Sequence, residues 1–342
     1  MSKKKIIETN ELTPEIKSSM RTRIITGLVL LFVLGPALFV GSWAYAIVGA
    51  VLGAFAAYEL VHVSSPTKRF RIPIYIMTIL LVESYIFWIF MKNNIMYIIT
   101  QKQMADIWRV FDTNFNNIEI SIIALISTAM VYFIFSMLED ETTIFMVVYY
   151  IAMSVIVGVC FQSFMYLRYS PFSAFASNPE LVDSPLFRYL VSSFLMIYVV
   201  LGVFMNDIGA YFTGVLFGKH KINPRISPKK TWEGLAGGII FSMVISITFA
   251  LVLSAVGYPI FPILDHRHWY YVVILSLLMP IVGDIGDFVF SAIKRYFNVK
   301  DYSNLFPGHG GVLDRFDSLL FGAAVVSCFL VMSTGGWTFG IQ

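Results

Sequence analysis

Residues 235–257, LAGGIIFSMVISITFALVLSAVG, form a run of 23 residues without a charged side chain. The run is longer than the roughly 18 to 20 apolar residues that cross the hydrocarbon core of a bilayer. Because lipid offers no hydrogen-bond partners, the backbone groups of such a segment must pair within the segment itself. The sequence therefore predicts a transmembrane helix here.

Composition extends this prediction to the whole chain. Of 342 residues, 58% are hydrophobic and 13% are charged, compared with about 25% charged in a soluble domain. A soluble protein of this composition would expose large apolar patches and aggregate, so that class is excluded. We expect an all-α fold, a polytopic integral membrane helical bundle of about nine transmembrane helices. The predicted spans lie near 24–40, 43–63, 73–91, 118–138, 143–167, 188–206, 235–257, 269–290 and 316–334.

Charge in the linkers predicts the orientation, because cytoplasmic linkers are rich in Lys and Arg. The N-terminal tail 1–20 is polar and lysine-bearing, which indicates a cytoplasmic N-terminus. The even-numbered linkers then face the cytoplasm, and three of them contain most of the basic linker residues: Lys68, Arg69, Arg71, Lys219, Lys221, Arg225, Lys229, Lys230, Lys294, Arg295, Lys300 and Arg315. The fourth linker is acidic and does not test the rule.

Three regions follow from this pattern: the cytoplasmic tail 1–20, the transmembrane helices of 21–205, and a C-terminal region, 206–342, with dense polar loops. We expect a multi-pass protein of the plasma membrane. The formal net charge of +3 is too small to indicate nucleic acid as a partner. A homodimer is compatible with the sequence.

The first polar segment runs from Asn206 to Gly234. Asp207 follows an apolar span, where a buried carboxylate is costly unless it is paired or bound to metal. Ser227, Lys229 and Lys230 suit a polyphosphate or a lipid phosphate, and Ser227-Pro228 predicts the start of a helix. The alternative is that the lysines only mark the cytoplasmic flank of the membrane.

The second polar segment starts inside the eighth predicted span. Asp284, Asp287, Ser291 and Lys294 recur at helical spacing and share one face. A glycine-rich loop and a second carboxylate pair follow; the polar residues there are Lys300, Asp301, His309, Gly310, Gly311, Asp314, Arg315 and Asp317. Glycine-rich backbone at a helix start exposes N–H groups that bind phosphate oxygens. Carboxylates beside such a loop suit Mg²⁺ bound together with substrate phosphates. A buried ion network of these aspartates with Lys294, Arg295 and Arg315 is the alternative.

The stretch from Ser291 to Asp317, SAIKR-x4-KD followed by PGHGGVLDRFD, resembles the signature of the phosphatidate cytidylyltransferases. The segment from Asp207 to Gly234 is similar to a second block of that family. The resemblance covers about 206–318, which we expect to be the catalytic region. It implies CTP and membrane phosphatidate as substrates, with CDP-diacylglycerol and pyrophosphate as products, and an active site at the cytoplasmic face.

The resemblance also implies that Asp287 and Asp314 hold a metal centre, which we expect to be Mg²⁺. The other roles follow from the chemistry of the reaction, which must bring two anions together: Lys294, Arg295, Arg315, Lys229 and Lys230 would neutralise phosphates. Ser291 would bind a phosphate or the metal, and His309 would protonate the leaving group, contact a phosphate or fix the turn. Further substrate contacts are expected from Asp207, Ser227, Lys300, Asp301, Gly310, Gly311 and Asp317.

This chain has Phe290 where relatives often have Glu before the signature serine. We hypothesise that Asp284 supplies part of that charge as an additional metal ligand. Glu83, within the third predicted span, is expected to be protonated or hydrogen-bonded and to face the bundle; a functional role is the alternative, since carboxylates inside membrane spans are often functional.

Rival classes remain for this pattern of residues. An ion-coupled transporter would place its carboxylates near the midplane, and a CTP-dependent lipid kinase would release CDP. A CDP-alcohol phosphotransferase would need a DG-x-x-AR pattern, which is absent. A membrane scaffold would leave the polar residues unexplained.

Overall fold

The computed structural model describes residues 14–40, 42–64, 71–92, 120–138, 142–176, 190–308 and 310–333. These residues form nine α-helices and one two-stranded sheet. In chain order they are α1 (Pro14–Val40), α2 (Ser42–Ser64), α3 (Arg71–Lys92), α4 (Ile120–Leu138), α5 (Ile144–Ala176), α6 (Phe194–Phe217), β1 (Lys221–Asn223), β2 (Ser227–Thr231), α7 (Trp232–Ala255), α8 (Trp269–Tyr296) and α9 (Leu313–Ser333).

The predicted helical membrane fold is confirmed, since each predicted span overlaps one of these helices. Within the described residues, six helical segments are long and apolar enough to cross a membrane: Ala44–Ser64, Ile144–Pro171, Phe194–Phe217, Trp232–Ala255, Trp269–Tyr296 and Leu313–Ser333. Ile25–Val40 and Ile122–Leu138 are shorter apolar helical stretches. The count of nine spans and the cytoplasmic N-terminus stay predictions.

Glycines bring α6 and α7 into close contact. A Cβ atom added at Gly209 would lie 3.1 Å from the Cα of Gly238, and one added at Gly238 would lie 2.7 Å from the carbonyl oxygen of Asn206. Small residues allow such close backbone approach between membrane helices. The contact fixes Asn206 and Asp207 of α6 beside the N-terminal half of α7.

A short hairpin connects α6 to α7. The strands β1 and β2 pair antiparallel, with Lys221 opposite Thr231 and Asn223 opposite Ser227. Thr231 caps α7, because its hydroxyl accepts a hydrogen bond from the N–H of Gly234 at 3.1 Å. The predicted helix start at Ser227-Pro228 is therefore wrong: both residues lie in β2, which pairs with β1, and the helix begins after the Thr231 cap.

Asp207 also lies elsewhere than expected. The sequence predicts that the sixth span ends at 206, but α6 continues to Phe217, so Asp207 lies inside the helix. The apolar residues beyond it, such as Phe212 and Val215, extend the helical pattern past one carboxylate.

The two ends of the bundle differ in chemistry. At one end Arg168 of α5 is buried and donates from Nε to the Leu38 carbonyl at 2.7 Å and from Nη1 to Ser192 Oγ at 2.6 Å. At the other end lie the hairpin, the end of α8, the start of α9 and the loop between them. The aspartates and lysines predicted to form the site are found at this second end.

Candidate functional site

Lys230 of β2 contacts two carboxylates of α8. Its Nζ lies 2.8 Å from Oδ1 of Asp284 and 2.7 Å from Oδ2 of Asp287. The two aspartates are three positions apart on α8, so one helical face presents both to the same cation. The hairpin therefore joins the two polar segments that the sequence presents separately.

The pKa of the Lys230 ammonium is raised above its usual range. Burial lowers this pKa, but the neighbouring carboxylates of Asp287 and Asp284 outweigh the effect of burial. Lys230 is therefore positively charged throughout the neutral pH range.

Asp284 and Asp287 each accept a further hydrogen bond. Asn206 of α6 donates from Nδ2 to Oδ2 of Asp284 at 3.0 Å, and Ser291 donates from Oγ to Oδ1 of Asp287 at 3.1 Å. Asp207 lies close enough to interact electrostatically with both aspartates and with Lys230. The predicted stripe of Asp284, Asp287 and Ser291 on one face of α8 is thus confirmed.

A second ion pair joins the end of α8 to the start of α9. Lys294 Nζ lies 2.8 Å from Oδ1 of Asp314, and both side chains are almost fully buried. Oδ2 of Asp314 accepts the backbone N–H groups of Tyr302 at 2.8 Å and of Gly311 at 2.9 Å. Asp314 therefore fixes the loop 300–311 at both of its ends.

Asp317 lies one turn further along α9, and its carboxylate interacts electrostatically with Asp287, Lys294 and Asp207. The site thus gathers five carboxylates around two lysines. When all are ionised, negative charge exceeds positive charge by three. The members are Asp207, Asp284, Asp287, Asp314, Asp317, Lys230 and Lys294.

These donors fit a hard cation such as Mg²⁺ in kind, because carboxylate oxygens are its preferred protein ligands. Asp284 and Asp287 already direct oxygens at one positive centre, the Lys230 ammonium. The described residues contain no group of three or more acidic, His or Cys side chains in metal-binding geometry. A site built from one or two carboxylates completed by substrate phosphates is the arrangement that Mg²⁺ commonly uses.

The other predicted site residues lie around this centre with less contact. Arg295 is exposed and donates to the carbonyls of Ile226 and Val299 at 3.4 Å. Ser227 is half-buried, and several basic or acidic residues are exposed: Lys229, Lys300, Asp301 and Arg315. His309 lies outside the described residues.

The glycine loop uses its N–H groups internally. Gly310 and Phe306 exchange two backbone hydrogen bonds, of 2.9 and 3.1 Å, and Gly310 has a φ of +84°. This backbone conformation favours glycine. The N–H of Gly310 donates to Phe306 and the N–H of Gly311 donates to Asp314, so both groups already have partners within the protein. A phosphate-binding role for the two glycines stays a prediction.

Glu59 of α2 is a site residue that sequence reasoning missed. Its side chain is 1% exposed, and its carboxylate accepts the N–H groups of Val312 at 2.8 Å and of Leu313 at 2.8 Å. Ser303 Oγ donates to Oε1 at 2.7 Å. The sequence feature that could have pointed to Glu59 is its position as a carboxylate within an apolar span, four residues before the predicted end of that span.

A pocket of about 630 Å³ adjoins Glu59 between α2 and the loop 299–305. Tyr58 and His62 form part of its wall, and their rings stack 5.4 Å apart. The loop side contains Asp301, Ser303 and Asn304. The pocket therefore combines aromatic and polar groups at the same end of the bundle as the aspartates.

Glu83 of α3 lies away from this site. Its Oε1 is buried and makes no hydrogen bond to the described residues, and it lies 3.2 Å from where a Cβ on Gly53 would be. The expectation that Glu83 faces the bundle interior agrees with this position. Whether it is protonated stays a prediction.

Apolar helices with lysines and carboxylates gathered at one end define a multi-pass membrane protein with a charged site at that end. The model of the Cytidylyltransferase family matches residues 21–333, and the chain belongs to this family.

Relatives from three bacteria agree with that assignment. The chain is 30% identical over 304 residues to the phosphatidate cytidylyltransferase of Bacillus subtilis (strain 168), covering 88% of this chain and 94% of the relative. The phosphatidate cytidylyltransferase of Staphylococcus haemolyticus (strain JCSC1435) is 28% identical, with 91% of this chain and 99% of the relative covered. That of Aquifex aeolicus (strain VF5) is 37% identical, with 53% of this chain and 65% of the relative covered.

Proposed function

We propose that this chain is a phosphatidate cytidylyltransferase whose active site is the cluster of aspartates and lysines at the hairpin end of the bundle. The observation that carries the proposal is the position of Lys230 between Asp284 and Asp287, which unites the two polar segments. The relatives bear this activity in their names. The site faces the cytoplasm of a plasma membrane, as the linker charges predict.

In the proposed reaction, a phosphate oxygen of phosphatidate attacks the α-phosphorus of CTP. A bond forms between these atoms, the bond from the α-phosphorus to the bridging oxygen of the β-phosphate breaks, and pyrophosphate leaves. A phosphomonoester has a second pKa of about 6, so the attacking group is largely a dianion at neutral pH. The reaction therefore needs no strong protein base.

The difficulty is to bring two anions together, so phosphate charge must be neutralised. Lys229, Arg295 and Arg315 are exposed where phosphates from solution reach them, whereas Lys230 and Lys294 pair with the aspartates and offset part of the negative charge of the site. Such catalysis depends on positioning and on neutralisation of charge. Mg²⁺ held by Asp287 and Asp314, with Asp284 as an additional ligand, would neutralise phosphate oxygens when bound.

The hairpin end of the bundle is a suitable place for this chemistry, because a lipid substrate and a water-soluble substrate must meet there. Phosphatidate remains in the bilayer because each buried CH₂ group contributes about 0.8 kcal/mol, whereas CTP is fully aqueous. A site at the ends of α8 and α9 is reachable by a lipid headgroup from the side and by a nucleotide from the water.

The proposal is tested with purified protein in detergent, phosphatidate and CTP labelled on the α-phosphate, with and without Mg²⁺. Label in the lipid phase, release of pyrophosphate and loss of both in Asp314→Asn support it. Asp265→Asn, in the loop between α7 and α8, is the matched control and retains activity. If the α-label remained in CDP while γ-labelled CTP phosphorylated a lipid, the chain would be a lipid kinase and the proposal would be wrong. If CTP were not turned over, both the transferase and the kinase reactions would be excluded.

A further inference from the structure

We propose that Glu59 of α2 is a positioning residue for Asp314, holding the start of α9 and the glycine loop in the geometry that the reaction needs. The inference rests on the proposed function, because it assumes that Asp314 acts in the active site. Glu59 lies in the transmembrane helices of the N-terminal region, outside the segments that resemble the family signature.

The first observation is the division of N–H groups at the start of α9. The first residues of a helix have N–H groups without partners inside the helix. Here Gly311 donates to Asp314, whereas Val312 and Leu313 donate to Glu59. Two carboxylates from different helices therefore hold three consecutive amides, and displacement of one disturbs the bonds of the other.

The second observation concerns the loop that precedes α9. Glu59 also accepts from Ser303, and the adjacent N–H of Tyr302 donates to Asp314. Each carboxylate thus binds both sides of the loop. On the first side Asp314 binds Tyr302 and Glu59 binds Ser303; on the second side the two carboxylates bind residues 311–313. Loss of Glu59 therefore removes one of the two carboxylates that hold each side of the loop and leaves Asp314 as the other.

The third observation explains the second glycine of the loop. A Cβ atom at position 311 would lie 2.2 Å from Oε1 of Glu59 and 2.6 Å from Oε2. Such distances are impossible without movement, so the space where a side chain would be is occupied by the Glu59 carboxylate. Gly311 is required because Glu59 is there.

The negative charge of Glu59 also stabilises the start of α9. A carboxylate at the N-terminus of a helix interacts favourably with the helix dipole. In Glu59→Gln, one of the two oxygens becomes an NH₂ group, which cannot accept an N–H bond. The variant keeps the size of the side chain and removes the ability to accept from both Val312 and Leu313.

The test measures three properties of Glu59→Gln. In metal-free protein, amide hydrogen exchange of peptides covering 310–316 is expected to rise at least tenfold. In the transfer assay, either kcat falls or the Mg²⁺ concentration for half-maximal activity rises, by about 10-fold or more, as for other groups that orient metal-binding carboxylates. Arg168→Gln is the matched control: it removes a buried polar clamp at the opposite end and lowers the Tm without changing the Mg²⁺ dependence.

Further variants at three positions, 59, 303 and 311, keep the test decisive if Glu59→Gln is poorly folded. Ser303→Ala removes one hydrogen bond to Glu59 and is expected to give a smaller change in the same direction. Gly311→Ala is expected to reproduce the Glu59→Gln phenotype, because its Cβ displaces the carboxylate. The double variant Glu59→Ala/Gly311→Ala is expected to match Glu59→Ala within about twofold, whereas independent effects would multiply.

Failure of this inference is distinguishable from failure of the proposed function. If Asp314→Asn abolishes transfer but Glu59→Gln leaves kcat and Mg²⁺ dependence unchanged, Glu59 is only a structural cap and the inference is overturned. If Asp314→Asn retains full transfer, the proposed site itself is wrong. Multiplicative effects in the double variant would also overturn the inference.

Discussion

The ammonium group of Lys294 lies 2.8 Å from Oδ1 of Asp314, and this contact ties the last turn of α8 to the first turn of α9. The two residues are 20 positions apart, with the signature loop between them. The ion pair therefore closes the loop at its base. Since the pair is buried, it also determines how the two helices meet.

Lys294→Met is expected to lower stability by roughly 3–5 kcal/mol, because removing one partner leaves the Asp314 charge buried and unpaired. Thermal unfolding in detergent measures the change. Lys294→Met/Asp314→Asn is expected to regain much of the lost stability, since both charges are gone, but to remain inactive. Arg295→Met, at the exposed neighbour, is expected to change stability by less than about 1 kcal/mol; an equal loss would contradict the assignment.

Lys230→Met is expected to destabilise the metal-free protein, because Asp284 and Asp287 then face each other without a cation between them. Addition of Mg²⁺ is expected to raise the Tm of this variant by more than it raises that of the wild type. The control is Lys229→Met, an exposed neighbour on β2 whose substitution leaves the Tm unchanged. Equal Mg²⁺ shifts in Lys230→Met and the wild type would refute this expectation.

Asp284→Asn tests the extra carboxylate. We expect the Mg²⁺ concentration for half-maximal transfer to rise about tenfold, because one negative charge leaves the cluster while the hydrogen bond from Asn206 has an oxygen left to accept it. The measurement is a Mg²⁺ titration of transfer at saturating CTP and lipid. Unchanged Mg²⁺ dependence would end the hypothesis that Asp284 is a ligand.

Gly238→Ala is expected to lower stability by roughly 1–3 kcal/mol, since the new methyl would lie 2.7 Å from the Asn206 carbonyl and must push α6 and α7 apart. Activity is expected to fall as well, because Asn206 binds Asp284. Gly35→Ala in α1 is the matched control: nothing lies within 4 Å of its added Cβ. A Tm loss of the same size in both variants would show that helix propensity, and not the helix contact, matters.

Cysteine labelling tests the orientation. Both native cysteines are first replaced by Ala, and then Arg225 in the hairpin turn or Arg267 between α7 and α8 is changed to Cys; both arginines are exposed. A membrane-impermeant maleimide is expected to label position 225 only in inside-out vesicles and position 267 only in right-side-out vesicles. The reverse pattern would place the proposed site outside the cell.

Sequence alone predicts much of this fold because the apolar spans are long and their backbone has one way to pair in lipid. The Asp284, Asp287 and Ser291 stripe is likewise set by helical spacing. The helix start at Ser227-Pro228 fails, because the hairpin depends on the pairing of β1 with β2 and not on local propensity. Glu59 is missed because its partners lie in another part of the chain, so no local pattern connects them.

The pairing of Lys230 with α8 is also beyond local patterns. The sequence predicts a phosphate-binding lysine and a carboxylate pair, but the glycine contact between α6 and α7 brings them together. Gly238 and Gly209 are weak signals in a chain with 23 glycines. Their role in the contact between α6 and α7 is evident only from the packing of these helices.

The hydrogen bond between Glu59 and Val312 joins residues 253 positions apart. α2 is therefore inserted into the membrane long before the ribosome has made the donors of its carboxylate, and α9 is the last helix of the described chain to be synthesised. The hydrogen bonds that hold the start of α9 therefore form only after α9 has been synthesised. A chain that stops before Val312 lacks both backbone donors to Glu59 and keeps only the donor from Ser303.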